Sequence, residues 1–264
     1  MMASSTSRSW VVVTGGGSGI GRAIVKHFSA KFNILTCGRR LAPLQESRSL
    51  ADTPDNVVTV QADISKEEDR SRFVGSLPQD AGVVLLVQNA AIGDPARLPD
   101  VDLSHLEHTL KVNLLAPLAL TQALLPALRL GKGRILHLGT SVAHQPQEGS
   151  LTYGITKMAF HRLYRQINAE PDLGVPCGSL SPGMVDTEGV LDHLEKARAA
   201  GLPHVKYFDE AYKNDWLTPE QNLMKMIEYL MSMDPQMFSS KEWKYSEWAK
   251  TPSSDPNPSF RSSS

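Results

Sequence analysis
The chain has 264 residues, 41% of them apolar and 21% charged, with a net charge of −1 at pH 7. That length admits one large α/β domain or two small ones, and the apolar content supplies a core and excludes a mostly disordered chain. The balanced charge speaks against a protein that binds nucleic acid by neutralising phosphates, so no nucleic-acid partner is expected.

Two cysteines, Cys37 and Cys177, make neither a disulfide framework nor a zinc pattern. Reduced thiols in a cytoplasmic protein are expected. The eight histidines show no ligand spacing with cysteines or carboxylates, and no metal is expected. The most apolar stretch, Val112–Leu130, is interrupted by Asn113, Pro117, Thr121, Gln122, Pro126 and Arg129, so it reads as a core helix and no membrane partner is expected. The first apolar run, from Trp10 to Val13, is too short for a signal peptide.

Apolar runs bounded by turn residues recur along the chain at Trp10–Thr14, Asn33–Thr36, Val57–Val60, Val83–Val87, Arg134–Leu138 and Val175–Leu180. They lack period-2 alternation, which predicts strands covered on both faces, as in a parallel sheet. Helical stretches lie between them at Ile20–Ala30, Leu41–Leu50, Lys66–Ser76, Leu103–Val112, Pro117–Leu130 and Tyr153–Ala169. This alternation predicts a single doubly wound α/β domain over residues 10–250. Residues 1–9 read as a flexible start. Residues 187–217 read as a long, mixed and polar stretch, with a helix at Gly189–Ala200 and an aromatic cluster at Tyr207, Phe208, Tyr212 and Trp216. Thr218 is the expected N-cap of a helix running to about Met233, with Pro219 at its first position. Lys241–Tyr245 reads as a last strand, and the Ser/Pro-rich residues 251–264 as a disordered tail.

The first strand runs into Thr14-Gly-Gly-Gly-Ser-Gly-Ile-Gly21 and then a helix. Glycines 15, 19 and 21 allow a sharp turn and a close approach to a pyrophosphate, and the helix start offers unpaired amides. Gly15, Gly17, Ser18, Gly19, Ile20 and Gly21 are therefore the expected dinucleotide contacts. An NAD site places a carboxylate after the second strand. Here that strand ends in Cys37-Gly-Arg-Arg40, and no carboxylate precedes Glu46. Arg39 and Arg40 suit a 2′-phosphate, so NADP(H) is expected ahead of NAD(H).

Tyr153 and Lys157 are four residues apart, which puts both on one face of a helix. A cation near a phenol lowers its pKa, and such a tyrosine can exchange a proton with a carbonyl oxygen. Ser141 follows the strand Arg134–Leu138, at the end where open sheets bind ligands, and its hydroxyl could hold the same oxygen. Thr140 is the alternative. Asn89-Ala90-Ala91 follows another strand, and Asn113 lies within an apolar helix, where a buried amide needs partners.

Together these residues resemble the short-chain dehydrogenase/reductase family, over Trp10 to about Thr187. The resemblance implies a Rossmann fold with a variable substrate lid at residues 187–217, and hydride transfer between a nicotinamide and a small carbonyl or alcohol substrate. It makes Tyr153 the general acid/base, Lys157 the ligand of the nicotinamide ribose, Ser141 the residue orienting the carbonyl and Asn113 the holder of a proton-relay water. Asp63 and Ile64 would contact the adenine, and Asn89 and Ala90 would lie along the cofactor. Pro182, Gly183, Val185 and Thr187 would flank the nicotinamide. His144 and Met184 are candidate substrate contacts. The Gly-Arg-Arg turn is similar to that of sepiapterin-reductase-like and dicarbonyl-reductase-like members. Residues 241–248 lack the family's glycine-rich ending, so a homodimer is expected through the helices Pro117–Leu130 and Tyr153–Ala169, with a tetramer as the alternative. A non-catalytic NADPH-binding regulator on the same fold is the competing reading.

Overall fold
The computed structural model describes residues 8–170 and 172–250. The expected tail, and all of the expected flexible start except Arg8 and Ser9, lie outside them. In chain order the chain forms β1 (Trp10–Thr14), α1 (Gly19–Phe28), β2 (Asn33–Gly38), α2 (Leu41–Ser49), β3 (Val57–Gln61), α3 (Glu67–Gly75), β4 (Val83–Gln88), α4 (Leu103–Leu110) and α5 (Ala116–Leu130). There follow β5 (Arg134–Leu138), α6 (Leu151–Asn168), β6 (Cys177–Ser181), α7 (Glu188–Ala199), α8 (Val205–Lys213), α9 (Glu220–Ser232), α10 (Pro235–Ser239), β7 (Glu242–Lys244) and α11 (Tyr245–Trp248).

The seven strands make one parallel sheet in the order β3-β2-β1-β4-β5-β6-β7. Successive residues of a strand point to opposite faces, and here both faces are covered. Val11, Val13, Leu85, Val87 and Leu136 pack with Ile24 and Phe28 of α1 and with Leu223 and Ile227 of α9. Val12, Leu35, Leu86 and Ile135 pack with Leu120, Leu124 and Leu128 of α5 and Tyr164 of α6. Double burial is why the strands read as continuous apolar runs. The order reverses direction between β1 and β4, and a crevice opens there beyond the carboxyl ends of the strands.

Two expected elements differ in detail. Residues 103–130 form a single helical run in which Lys111–Leu115 is a π turn joining α4 to α5. It is the one described segment long and apolar enough to cross a bilayer, yet one of its faces is spent on the sheet. Thr218 does not cap α9. Its hydroxyl donates to the Pro182 carbonyl at 2.8 Å, and Pro219 becomes the residue before the first turn.

His137 sits in the middle of β5, fully buried, stacked 4.0 Å from the ring of Phe160. Burial, aided by the charge of Lys157, pushes its pKa down from 6.5 to about 3. Below pH 6.5 the unfolded chain takes up a proton that the native chain refuses, so stability falls as pH drops towards about 3. The loss is about 1.4 kcal/mol per pH unit over that window. Urea unfolding across this range should show the limb in the wild type and a shallower one in His137→Phe.

Candidate active site
The crevice at the β1/β4 reversal has a volume of about 320 Å³. Of the expected cofactor contacts, Gly15, Gly17, Ser18, Gly19, Ile20, Arg39, Arg40, Asp63, Ile64, Asn89, Ala90 and Thr187 line it. Two glycines carry backbone conformations that side chains disfavour, Gly15 at φ +75° and Gly19 at φ +52°. No side chain caps α1 at Ser18, which leaves its first amides for a ligand. These features fit a dinucleotide pyrophosphate.

Gly21 is not on the crevice wall. A Cβ there would lie 2.2 Å from the Gly15 carbonyl oxygen, so its bareness lets α1 pack against the loop. Asn89 braces the same turn, donating from Nδ2 to the carbonyls of Thr14 (2.9 Å) and Gly15 (3.2 Å). The Thr14 hydroxyl in turn accepts the amides of Asn89 and Ala90.

Arg22 escapes the sequence reading. Its guanidinium donates to the Gly17 carbonyl at 2.6 Å, to Ser47 Oγ at 3.1 Å and to Glu46 at 2.7 Å, clasping the glycine loop to α2. The available signal is a cation in the first turn of α1, where the helix dipole disfavours it. Arg39 and Arg40 stand at the end of β2. Arg40 lies 3.8 Å from the exposed Glu188 carboxylate, a weak pair. Asp63 is held below the usual carboxylate range: burial pushes it up, but the hydroxyl and amide of Ser65, His108 and Lys66 outweigh that.

Around the expected catalytic residues, Lys157 is 4% exposed, and its Nζ donates to the Leu138 carbonyl at the end of β5, 2.9 Å away. It also lies 5.0 Å from the Phe160 ring centre and 5.6 Å from that of Tyr153. Gly93 presses on the Tyr153 ring, where a Cβ would sit 2.8 Å from Cδ2. The expected lowering of the phenol is not what this geometry gives. Burial pushes Tyr153 up to about 12, and burial brings Lys157 down to about 8 against the opposing charge of Glu242. The ammonium is aimed at a backbone carbonyl, and desolvation outweighs its field at the phenol.

Ser141 opens a 3-10 turn, Ser141–Ala143, and is exposed, while Thr140 Oγ1 accepts the Val142 amide at 3.4 Å as the turn's cap. Thr140 thus has a structural duty and Ser141 is the hydroxyl presented. Asn113 lies in the π turn, 2% exposed. Its amide reciprocates with the Ile92 backbone (2.9 and 2.7 Å) and donates to Thr156 Oγ1 (3.0 Å), which itself bonds the Tyr153 carbonyl. With both amide protons and the oxygen engaged, Asn113 is a brace between the π turn, the loop after β4 and α6.

Beyond β6, Pro182 and Gly183 are strapped by Thr218, Val185 is packed in the core with Leu223, and Thr187 caps α7 through the Val190 amide. Met184 is half-buried, and its carbonyl accepts the Thr218 amide. His144 is not free in a pocket: its Nε2 lies 2.9 Å from Glu242 Oε2. The lid has a small core of its own, in which Leu194, Ala197, Leu202 and Val205 are joined by Phe208 and Tyr212, while Tyr207 and Trp216 are exposed. Tyr207, Phe208 and Tyr212, which the sequence shows only as an aromatic cluster, lie on a helix, α8, that buries Val205 and Ala211.

Residues 9–197 match the short chain dehydrogenase family profile. The chain belongs to that family. It is 32% identical to an uncharacterized oxidoreductase of Staphylococcus epidermidis over 180 residues, 67% of this chain and 77% of the relative. It is also 32% identical to serine 3-dehydrogenase of Rhizobium radiobacter over 187 residues, 69% and 74% of the two chains. Among solved structures, the KRED1-Pglu enzyme shares the fold, with a TM-score of 0.81 at 23% identity over 89% of this chain and 99% of that one. An alcohol dehydrogenase of Thermococcus sibiricus complexed with 5-hydroxy-NADP gives a TM-score of 0.63 at 26% identity over 67% and 77%. The protein is thus an oxidoreductase with the nucleotide-binding Rossmann fold.

The buried ammonium of Lys157 has a stability signature. Its native pKa lies below its unfolded value of 10.5, so between about pH 8 and 10.5 the unfolded chain binds the extra proton and native stability rises with pH. Lys157→Met lacks this term. Parallel urea titrations should show the wild type gaining up to about 3 kcal/mol on the variant across that window.

Proposed function
We propose that the protein is an NADP(H)-dependent carbonyl reductase, or alcohol dehydrogenase in the reverse direction, acting on a small carbonyl or alcohol. The observation that carries this reading is the Tyr153–Lys157 pair on α6, which packs against the turn exposing Ser141, together with the crevice lined by the glycine loop. When bound, the nicotinamide supplies or accepts hydride. Ser141 hydrogen-bonds the substrate oxygen and fixes its position. Tyr153, kept protonated by its burial, gives its phenolic proton to that oxygen as negative charge develops, and takes it back in the reverse direction. Lys157, seated on the Leu138 carbonyl, would hold the cofactor ribose. Asn113 fixes the π turn against the loop after β4 and against α6, which carries Tyr153 and Lys157.

The 2′-phosphate assignment rests on Arg39 and Arg40. Both line the crevice, and no carboxylate stands between the end of β2 and Glu46. The 5-hydroxy-NADP complex of the Thermococcus sibiricus relative supports it. Cytoplasmic location is inferred from Cys37 and Cys177, both buried and unpaired. A non-catalytic NADPH sensor is the second reading, kept because the residues lining the crevice do not include Tyr153.

NADPH oxidation against ketones, aldehydes, α-dicarbonyls and pterins tests the proposal. Tyr153→Phe should lose about 10²- to 10⁴-fold in kcat while still binding NADPH. NADPH binding without oxidation across the panel, in the wild type as in Tyr153→Phe, would favour the sensor reading. Replacing Arg39 and Arg40 with Ala should raise the KM for NADPH about tenfold to a hundredfold and leave that for NADH nearly unchanged. A wild type that prefers NADH would overturn the cofactor assignment.

A homodimer is proposed on the exposed apolar residues Leu115 and Leu118 on the π turn and α5, beside Ile155 and Met158 on α6. Sedimentation analysis should find a dimer for the wild type and a monomer for the Leu118→Glu/Met158→Glu double variant.

A further inference from the structure
Behind the Ser141 turn lies a cluster that the proposed reaction does not use. His144 follows the turn, His161 stands one helical turn beyond Lys157 on α6, and Glu242 opens β7. One donor atom from each of the three lies within 4.8 Å of the other two, the only such grouping of three among the described residues. His144 Nε2 is 2.9 Å from Glu242 Oε2, and His161 Nδ1 is 3.7 Å from Glu242 Oε1. The imidazole rings stand nearly perpendicular, 4.4 Å apart.

Hydrogen bonding alone does not satisfy this cluster. The Glu242 side chain is 8% exposed, and a carboxylate this buried is costly unless well compensated. Ser179 Oγ donates to its Oε1 at 3.0 Å and His144 reaches its Oε2, but His161 Nδ1 is buried without a hydrogen-bond partner. Its contact with Glu242 is too long for a hydrogen bond.

We propose that His144, His161 and Glu242 form a site for a divalent transition-metal ion, with Zn²⁺ the ion that its ligand set best suits. Two imidazoles select against Mg²⁺ and Ca²⁺. Two histidines and a glutamate are a zinc donor set, with metal–ligand bonds of about 2.1 Å that place neighbouring donors about 3.4 Å apart. The two nitrogen–oxygen separations, 2.9 and 3.7 Å to different oxygens of Glu242, lie on either side of that spacing, and all three donors lie within 4.8 Å of one another, so side-chain rotation brings them onto one ion. His144 is the most exposed ligand, at 34%, which leaves the fourth position to water on its side. Ser179 holds the carboxylate from behind, as supporting hydrogen bonds do in metal sites. Separate elements supply the ligands, so the ion would pin β7 and the Ser141 turn to the catalytic helix.

The test is metal binding by the full chain after chelator treatment, with Zn²⁺ and Co²⁺ as probes. Competition with a chromophoric chelator should give one Zn²⁺ per chain. Co²⁺ should give the intense visible bands of a low-coordinate site, and Zn²⁺ should raise the melting temperature. His161→Ala and Glu242→Gln should weaken binding at least tenfold and remove the Co²⁺ bands, with folding checked by the melt. Ser179→Ala leaves the three ligands in place and should weaken binding about tenfold. Absence of competition and of Co²⁺ bands in the wild type would overturn the proposal, as would uptake that survives both ligand substitutions. Because binding itself is read, failure here leaves the reductase reading standing.

Discussion
The ammonium of Lys157, sealed under α6 and tied to the Leu138 carbonyl, is the constraint around which the site is arranged. A buried cation must find acceptors and opposite charge or lose its proton. Here the end of β5 provides the acceptor, the Phe160 ring a polarisable face and Glu242 the distant negative charge. Meeting those needs fixes α6 against the sheet, and with it the height of Tyr153 above the Ser141 turn. The same strand carries His137, kept neutral one residue from the carbonyl that Lys157 uses. A second buried cation there would compete with the first.

On the other side of the sheet reversal, the glycine loop is held before any ligand arrives. Asn89 and Thr14 lock it from β4 and β1, Gly21 lets α1 close on it, and Arg22 ties it to α2. Ordering a flexible loop is part of the cost of binding. Here folding meets that cost in advance, with backbone carbonyls and one guanidinium whose cross-links reach into three neighbouring elements.

The central strands were legible because they are covered on both faces, which makes an apolar run such as Val83–Val87 hard to read otherwise. The glycine loop, Arg39/Arg40 and the Tyr153/Lys157 pair were legible because their chemistry depends on close spacing in sequence. What stayed hidden depends on spacing in three dimensions. His144, His161 and Glu242 meet only because β7 pairs with β6 beside β5. The π turn is set by tertiary bonds of Asn113 to Ile92 and Thr156, partners that the helical pattern does not announce. Helix-capping rules also fail where tertiary geometry overrides them: Thr218 has the composition of a helix cap, but the carbonyl of Pro182 comes within reach first. The phenol of Tyr153 shows the same limit, since proximity along a helix says nothing of where the ammonium is aimed.

The lid is built differently from everything beneath it. Leu194, Ala197, Leu202 and Val205 form a core that is separate from both faces of the sheet. Its links to the body include Lys196 to Asp94, Arg97 to the Gly201 carbonyl and the Leu202 side chain against Gly149. Substitutions in such a module are absorbed by a handful of its own side chains. Changes in this peripheral unit can therefore accumulate without disturbing the sheet and the helix that carry Tyr153 and Lys157.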